Sequence, residues 1–328
     1  MKITILSRSE SVPSTGRLVE AARARGHRVR VLNPVKVQMS LDGGSATLFY
    51  QRKPAPACDV VIPRIAQSIS NYGLAVANQY AMHRVPLLNS AEAIAQARNK
   101  MRSLQLLSAN GIGIPATVMA REAAELKEMV SLVGGMPVLV KLLHGQERRG
   151  VMVCETLQSL EAALEAVLGL GHNLIVQQYV KSSGQDVRVV VVGGEAVAAV
   201  RRRPKFGKLT NRLSKGARLE PIELTAAQRL AAVEAVRLVG LEVAAVDLLD
   251  VKGSPKVFEV NASPAIAEME QATGLDVASK VIERAEALVR EHRAEQGGGQ
   301  RSKGEPERRE PRRAATPGRL RKASNAKV

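Results

Sequence analysis

Short apolar runs alternate with helical segments over the first 90 residues, and this alternation constrains the fold more than any other feature of the chain. Residues 3–6 form an apolar run typical of a buried strand, and residues 16–25 have the spacing of an amphipathic helix. Gly26 ends that helix, and residues 27–32 are predicted to form the next strand. The pattern repeats with apolar runs and a helical stretch at residues 59–62, 72–83 and 85–88. It predicts a parallel α/β domain of about 90 residues.

The turn after the first predicted strand argues against a dinucleotide site. It reads Ser7-Arg8-Ser9-Glu10-Ser11, without the Gly-x-Gly-x-x-Gly that lets a backbone approach a pyrophosphate. We therefore interpret the first domain as a scaffold or as a platform for substrate.

The cysteines and the apolar runs indicate the cellular compartment in which the protein is expected to function. Two cysteines, Cys58 and Cys154, cannot make a disulfide framework, and the five histidines show no spacing suited to a metal site on one helical face. No run approaches the roughly 18 apolar residues of a membrane span, and the start of the chain lacks a secretion signal. We expect a protein of the reducing cytoplasm that does not enter a membrane.

A second pattern begins near residue 90 and mixes helices with strands. Ser90 is a suitable cap for a helix that runs to Arg98, and a second helical stretch follows at residues 100–109. Later strands are predicted at residues 116–120, 137–143, 150–154, 173–176, 187–192, 195–200, 243–249 and 256–260, and later helices at residues 122–133, 159–168 and 276–293. Gly193-Gly194 is a strong signal for a tight hairpin. The region is predicted to be an α+β unit.

Basic residues outnumber acidic ones, and two segments concentrate the excess. The chain has 48 Lys and Arg against 31 Asp and Glu, a net charge of +17, which favours a polyanionic partner such as nucleic acid, a nucleotide or an acidic protein. Residues 296–328 contain ten Lys or Arg, three Glu and almost no large apolar residue, so we expect a disordered basic tail. Residues 201–218 carry eight Lys or Arg and no acid. They form either a solvated basic face or a cradle for ATP, glutamate carboxylates or an acidic peptide.

Three oxygen-bearing side chains near the end of the second unit form a candidate metal site. Asp247 interrupts an apolar run, and a tight hairpin would set it beside Glu259. Glu259 and Asn261 are two apart on a predicted strand and share a face, while Phe258 and Val260 point the other way. Two carboxylates and an amide oxygen suit Mg²⁺. Alternatively, Glu259 is a solvent-facing edge residue and Asp247 is a charge at a strand end.

Two lysines are candidates for binding phosphate. Lys141 is alone among apolar residues at 137–143, where a buried ammonium group is costly unless it meets an anion such as phosphate. Lys100 lies in a helical stretch, where a lysine on the solvent face is the ordinary outcome. Only its context among the other segments assigns it a function.

The order of these segments resembles that of the ATP-grasp superfamily and, within it, the RimK-like ribosomal-protein glutamate ligases. The resemblance spans residues 1 to about 292, and its motifs lie at residues 61–65, 89–100, 137–141, 175–180, 186–188, 198–202, 245–247 and 258–264. It implies a parallel α/β pre-ATP-grasp domain at residues 1–92 and an ATP-grasp domain at residues 93–293. The latter would have a lid lobe at about 115–178 and a catalytic lobe at about 179–293, with the basic tail beyond it.

The resemblance also implies which residues bind ATP. These would be Lys100 and Lys141 at the phosphates, Gln178, Tyr179 and Val180 at the adenine, Asp186 near the ribose, and Asn211 and Arg212 beside the nucleotide. Lysine suits the phosphates because its ammonium group is a compact, mobile point charge.

The metal ions and the reacting groups are implied in the same way. Asp247, Glu259 and Asn261 would hold Mg²⁺ or Mn²⁺, with two ions expected. Arg188 and Arg202 would grip the acyl phosphate and the substrate carboxylate with their planar guanidinium groups. The implied reaction is an ATP-dependent joining of a carboxylate to an amine through an acyl phosphate.

Three segments differ from the family pattern. Residues 144–151 read His-Gly-Gln-Glu-Arg-Arg-Gly-Val where the family has Glu-Gly-Thr-Gln-Gly-Ile-Gly-Val, so one glycine is lost and two arginines are gained. Thr210-Asn211-Arg212 stands where the family has Arg-Ser-Asn, and Gln178 stands where an acidic hinge residue is common. The differences at residues 144–151 and 210–212 motivate another hypothesis, an ATP-binding regulatory protein that kept the fold and lost turnover.

The resemblance implies partners as well. RimK-like enzymes add glutamates to the C-terminus of the sixth protein of the small ribosomal subunit, so glutamate and an acidic or ribosomal protein tail are expected. The basic tail would add a weak, salt-sensitive contact with ribosomal RNA. A ligase for another amino acid, or for a small-molecule or coenzyme substrate, is the alternative within the fold. A homo-oligomer is compatible with the sequence.

Overall fold

The computed structural model describes residues 1–120, 125–142, 151–171, 173–180, 185–203, 217–251 and 253–301. Within these ranges, a parallel three-stranded sheet and a small antiparallel sheet lie in the first 90 residues, and antiparallel sheets of four and five strands follow. The predicted mixed α/β architecture is therefore confirmed. No helix in these ranges is both long and apolar enough to cross a lipid bilayer.

The N-terminal part of the chain is an α/β unit. Its elements are β1 (Lys2–Leu6), α1 (Pro13–Ala24), β2 (Arg28–Leu32), β3 (Val37–Asp42), β4 (Ser45–Tyr50), β5 (Lys53–Pro54), β6 (Val60–Pro63) and α2 (Ser70–Met82). The parallel sheet has the order β2-β1-β6, as the alternation of apolar runs and helices predicts. Helix α1 begins three residues before the predicted Gly16 because Pro13 is well suited to the first turn of a helix.

The antiparallel sheet of β3, β4 and β5 was not predicted. Its main turn is Gly43-Gly44, with Asp42 paired to Ser45 across it, and Gly44 has a φ of +92° that favours glycine. Most residues of β3 and β4 are exposed or half-buried, so these strands lack the apolar run that marks a core strand. Gly43-Gly44 is the sequence feature from which the hairpin of β3 and β4 could have been predicted.

A four-stranded sheet follows two linking helices. The elements are α3 (Ala91–Arg98), α4 (Lys100–Ala109), β7 (Thr117–Ala120), α5 (Leu126–Leu132), β8 (Val138–Leu142), β9 (Val151–Cys154), α6 (Leu157–Gly169) and β10 (Leu174–Gln178). Ser90 caps α3 as predicted, since its hydroxyl accepts a hydrogen bond from Ala93 N at 3.1 Å. The strands are antiparallel in the order β7-β10-β8-β9, and α5 and α6 pack on them through Val130, Leu160 and Leu164.

A five-stranded antiparallel sheet forms the rest of the described chain. Its elements are β11 (Asp186–Val192), β12 (Glu195–Arg203), β13 (Arg218–Pro221), α7 (Ala226–Val239), β14 (Val243–Val251), β15 (Ser254–Asn261), α8 (Ile266–Thr273) and α9 (Val277–Arg301). The strand order is β13-β12-β11-β14-β15. The predicted hairpin between β11 and β12 is confirmed, with Gly193 and Gly194 both at positive φ.

The last helix is longer than predicted. The sequence predicts a helix that ends at Arg293, whereas α9 continues to Arg301. The prediction followed the change in composition at Gly297, whereas glycines in a helix cost only about 1 kcal/mol each and do not by themselves end it. Residues 302–328 lie outside the described part of the chain.

Helix α9 and strand β1, which are far apart in the sequence, pack in the same hydrophobic core. Val277, Val281 and Val289 of α9 pack in the same buried cluster as Ile3 and Ile5 of β1. The cluster also holds apolar residues of α1, β6, β11, β12 and α8. One face of the parallel sheet is therefore packed against α1 and α9, the last helix of the described residues.

Candidate active site

Asp247 and Glu259 lie directly opposite each other on β14 and β15. Asp247 pairs with Glu259, and Ala245 pairs with Asn261, so the predicted hairpin is confirmed. Asp247 is buried, with 2% of its surface exposed, while Glu259 and Asn261 are half-buried. The three oxygen-bearing side chains thus lie at neighbouring positions of β14 and of the edge strand β15.

A β-bulge at this edge changes the surroundings of Phe258. The register shifts so that Leu248 pairs with Val257 and Phe258 is the extra residue. Val257 and Val260 both belong to the buried cluster around α7, but Phe258 does not. Its ring lies instead near Lys141, with 5.5 Å between Nζ and the ring centroid. The prediction that Phe258 shares the orientation of Val260 is therefore wrong, because the bulge breaks the alternation of faces.

Arg188 and Arg202 surround Asp247. Arg188 donates two hydrogen bonds to the Asp247 carboxylate, from Nε at 2.7 Å and from Nη2 at 2.8 Å. Arg202 Nη2 lies 3.0 Å from Asp247 Oδ2, and Arg202 Nε donates to Asp186 Oδ1 at 2.5 Å. The four side chains form a continuous network across β12, β11 and β14.

The network fixes the charge of its members. Burial would raise the pKa of Asp247, but the charges and hydrogen bonds of Arg188 and Arg202 outweigh burial and hold that pKa far below its usual range. Burial would lower the pKa of Arg202, but Asp247 and Asp186 outweigh it and raise that pKa. Asp247 and Arg202 are therefore both ionised at neutral pH.

Lys141 is buried on β8, as its place in an apolar run predicts. Its Nζ donates to Gln177 Oε1 at 2.5 Å. The Gln177 amide in turn donates to Thr117 Oγ1 at 2.8 Å, and Thr117 donates to the carbonyl of Pro115. This chain of hydrogen bonds holds the ammonium group in place beside Phe258.

Gln177 was not among the predicted site residues. It is fully buried and lies on β10, which pairs with β8. A polar side chain at the end of an apolar run was the available signal, and it is the same kind of signal that singled out Lys141.

The predicted adenine segment follows β10. Gln178 Oε1 accepts a hydrogen bond from Lys256 Nζ at 2.9 Å, and Gln178 N donates to the carbonyl of Ala116 at 2.8 Å. Tyr179 and Val180 are half-buried. The side chain of Gln178 thus ties the four-stranded sheet to β15 of the five-stranded sheet.

Lys100 lies at the start of α4, in the wall of a cavity of about 550 Å³. Glu259 and Asn261 line the same cavity. The structure therefore places Lys100 in one cavity with two of the predicted metal ligands.

Two groups of predicted residues lie outside the described part of the chain. Asn211 and Arg212 are one, and the altered loop, which begins at His144, is the other except for Val151 at the start of β9. Their assignments stay predictions.

The donor set at the sheet edge fits a hard divalent cation. Glu259 makes no hydrogen bond or ion pair with any described residue, and Asn261 Oδ1 accepts from Ser263 N at 2.9 Å. An ionised carboxylate has about four acceptor positions, and the arginines take three of those on Asp247. Among the described residues, no group of three or more His, Cys, Asp or Glu is placed to hold a metal. Asp247, Glu259 and Asn261 would thus need further oxygen ligands, such as water and phosphate.

Two family models match consecutive parts of the chain. A RimK PreATP-grasp domain matches residues 1–94, and a RimK-like ATP-grasp domain matches residues 97–285. Two similar curated proteins are both named probable alpha-L-glutamate ligase. The one from Thioalkalivibrio sulfidiphilus is 43% identical, covering 91% of this chain and 99% of that protein. The one from Methanococcoides burtonii is 41% identical, covering 86% of this chain and 94% of that protein.

Solved structures share the fold at low sequence identity. The ATP-grasp ligase PsnB, complexed with a minimal precursor, has a TM-score of 0.69 at 21% identity, covering 88% of this chain and 98% of its own. D-alanine–D-alanine ligase from Bacillus anthracis, complexed with ATP, has a TM-score of 0.66 at 18% identity, covering 90% of this chain and 100% of its own. With both domain models matched and relatives above 40% identity along the chain, this protein belongs to the RimK-like ATP-grasp family of ligases.

Proposed function

We propose that the protein is an ATP- and Mg²⁺-dependent ligase that adds glutamate to the C-terminus of a ribosomal protein. The observation that carries the proposal is the sheet edge where Asp247 and Glu259 lie opposite each other beside Arg188 and Arg202. The 43% identity to a probable alpha-L-glutamate ligase supports glutamate as the added amino acid. We further propose a pre-ATP-grasp domain at residues 1–92, a lid lobe at about 115–178 and a catalytic lobe at about 179–293, acting in the cytoplasm.

ATP would lie between the four-stranded and five-stranded sheets. Lys141 and Lys100 are proposed to bind its phosphates, Lys141 from its buried place on β8 and Lys100 from the start of α4. Gln178, Tyr179 and Val180 are proposed to contact adenine, Asp186 the ribose region, and Asn211 and Arg212 the nucleotide.

Asp247, Glu259 and Asn261 are proposed to hold Mg²⁺ or Mn²⁺, with two ions as the expected number. When bound, the cations neutralise charge on the phosphates as the γ-phosphoryl group moves. Glu259 has the larger share of open acceptor positions, since the Asp247 carboxylate is mostly occupied by arginines.

The proposed chemistry has two steps. A carboxylate oxygen of the acceptor attacks the γ-phosphorus of ATP, so a P–O bond forms and the bond to ADP breaks. The amine of glutamate then attacks the acyl carbon, a C–N bond forms, inorganic phosphate leaves and the amine loses a proton. Arg188 and Arg202 stabilise the negative oxygens in both steps, and Asp247 keeps both guanidinium groups oriented.

The test is ADP release by the purified protein with ATP, Mg²⁺ and glutamate, with and without the acceptor protein, followed by the intact mass of that acceptor. We expect ADP to form and the acceptor to gain glutamate residues. ADP without a change in acceptor mass would retain a ligase and reject this acceptor. No ADP with any acceptor would reject the ligase and favour the ATP-binding regulatory hypothesis.

A further inference from the structure

The cavity beside Lys100 lies at the carboxyl ends of β1 and β6 in the parallel sheet. The chain leaves β1 toward β2 on one side and later returns to form β6 on the other side of β1. The carboxyl ends of β1 and β6 therefore form a topological switch point, where open parallel α/β sheets bind their ligands. The turn here lacks the glycines of a dinucleotide site, so its ligand is of another kind.

Residues that directly follow these two strands line the cavity. Ser7 follows β1 and Arg64 follows β6. The backbone N–H of Arg64 donates to the carbonyl of Leu6 at 2.8 Å, which fixes the start of the Arg64 segment at the sheet end. Ser7 Oγ and Thr15 Oγ1 are 2.8 Å apart, and both residues are buried in the wall of the cavity.

A second arginine holds the segment after β6. Arg98, at the end of α3, donates from Nη1 to Ser70 Oγ and from Nη2 to the carbonyl of Ile65, each at 2.5 Å. These bonds restrain the residue next to Arg64, while the Arg64 side chain itself is half-buried in the cavity wall. The Arg64 segment is thus restrained where it lines the cavity.

Other residues that line the cavity belong to the proposed catalytic machinery. Glu259 and Asn261 are two of them, and Lys100 is a third. The volume of about 550 Å³ is in the range of small-molecule sites and accommodates an amino acid or the last residue of a peptide. Arg64 and two residues of the proposed metal site, Glu259 and Asn261, therefore line the same cavity.

We propose that this cavity binds the carboxylate-bearing substrate and that Arg64 is the residue that binds its carboxylate. The planar guanidinium group matches a carboxylate in a two-bonded arrangement, and the hydroxyls of Ser7 and Thr15 add polar contacts. The N-terminal domain then selects the substrate. The carboxylate comes either from free glutamate or from the acceptor peptide. This inference rests on the proposed ligase function.

The test compares Arg64→Met with Arg64→Lys, and with Arg30→Met as a control. Arg30 is exposed on β2 of the same domain, so its variant removes the same charge away from the cavity. For Arg64→Met we expect the KM of one carboxylate substrate to rise by about 10- to 100-fold, the value for losing a charge-assisted hydrogen bond. The KM of ATP should change by less than about twofold, and Arg64→Lys should lie between.

Separate KM measurements for glutamate and for the acceptor peptide identify the source of the carboxylate. Unchanged KM values for both substrates in Arg64→Met would overturn the inference, as would an equal rise in Arg30→Met. Melting temperature and ATP affinity of each variant confirm that it is folded.

A binding measurement separates this inference from the ligase proposal. Calorimetric titration of glutamate and of the acceptor peptide into the protein, with Mg²⁺ and a non-hydrolysable ATP analogue, does not require turnover. Binding that is weakened in Arg64→Met and retained in Arg30→Met supports the cavity assignment even if no ADP forms. Active ligase with equal binding by wild type and Arg64→Met refutes the cavity assignment and leaves the ligase intact.

Discussion

Two arginine–carboxylate networks in this molecule use the same groups in different surroundings. In the five-stranded sheet, Asp247 has 3% of its side chain exposed and Arg188 has 20%. Where α1 meets α9, Arg25 has 35% exposed and its partner Glu286 has 18%. Arg25 donates to both oxygens of Glu286, at 2.8 and 2.9 Å, so the local geometry is as good as in the sheet.

The difference lies in what each network costs to break. Exposed ion pairs contribute about 1 kcal/mol or less because water and salt screen them. Removing one partner of a buried pair leaves a charge without compensation, and that costs about 3–5 kcal/mol. The sheet network is therefore kept for the orientation of its groups, and the helix network holds two parts of the chain together at low cost.

The largest effect is expected from Asp247→Asn. Loss of the carboxylate charge leaves the buried Arg188 and Arg202 with weaker compensation, so we expect about 3–5 kcal/mol lower stability and no measurable ADP formation. Asp59→Asn is the matched control, because Asp59 pairs with the exposed Arg293 at 2.9 Å. In urea unfolding, the free energy of unfolding of the control should fall by about 1 kcal/mol or less. Equal losses in the two variants would contradict the contrast between buried and exposed networks.

Glu259→Gln tests the proposed metal site without disturbing the arginine–carboxylate network of the five-stranded sheet. Glu259 makes no hydrogen bond or ion pair with a described residue, so we expect stability within about 0.5 kcal/mol of wild type. ADP formation should be abolished, and Mn²⁺ binding measured by electron paramagnetic resonance should weaken. Glu268→Gln, at an exposed position of α8, should change neither property. Substantial ligase activity in Glu259→Gln would remove Glu259 from the metal site.

Gln177→Met extends the comparison to the buried ammonium group of Lys141, which donates a hydrogen bond to the neutral side chain of Gln177. The substitution removes the acceptor of Lys141 and the donor to Thr117, so we expect the KM of ATP to rise about 10-fold, the equivalent of one hydrogen bond. Steady-state kinetics should show a smaller effect in Thr117→Val, which leaves the Lys141 contact in place. A KM for ATP that is unchanged in Gln177→Met would show that Gln177 does not position Lys141.

The helix network predicts a pH dependence. The hydrogen bond from Arg25, opposed by burial and aided by His27, lowers the pKa of Glu286 from 4.5 to about 2. A carboxyl group with a lowered folded-state pKa stabilises the fold above its unfolded pKa and loses this effect as the pH falls. The melting temperature of wild type should therefore exceed that of Glu286→Gln above about pH 5, and the gap should close toward pH 2. A gap that is constant over this range would exclude ionised Glu286 as the cause.

Deletion of residues 302–328 should have the smallest effect on chemistry. This basic segment follows α9 and carries no predicted site residue, so kcat and KM with a peptide acceptor should stay within about twofold of wild type. Co-sedimentation with ribosomes at low salt should decrease, because the segment is proposed to contact ribosomal RNA. Unchanged co-sedimentation would reject that contact.

Part of the candidate site could be predicted because charged residues stand out in apolar strands. Asp247 and Lys141 are conspicuous in this way, and the hairpin that pairs Asp247 with Glu259 follows from the order of the strands. The bulge at Phe258 could not be predicted, since one added residue leaves no periodic signal and changes which side chains share a face. The cavity at Arg64 depends on how the N-terminal domain packs against β15, and no local pattern encodes that packing.

The packing of α9 against β1 has a consequence for synthesis of the chain. Ile3 and Val289 share one core, so the N-terminal sheet keeps part of an apolar face open from the synthesis of β6 until α9 has left the ribosome. At about 5–20 residues per second, that interval is roughly 10–45 s. During it the nascent N-terminal domain exposes the kind of apolar surface that chaperones bind, and a fragment that ends before α9 would carry the same surface permanently.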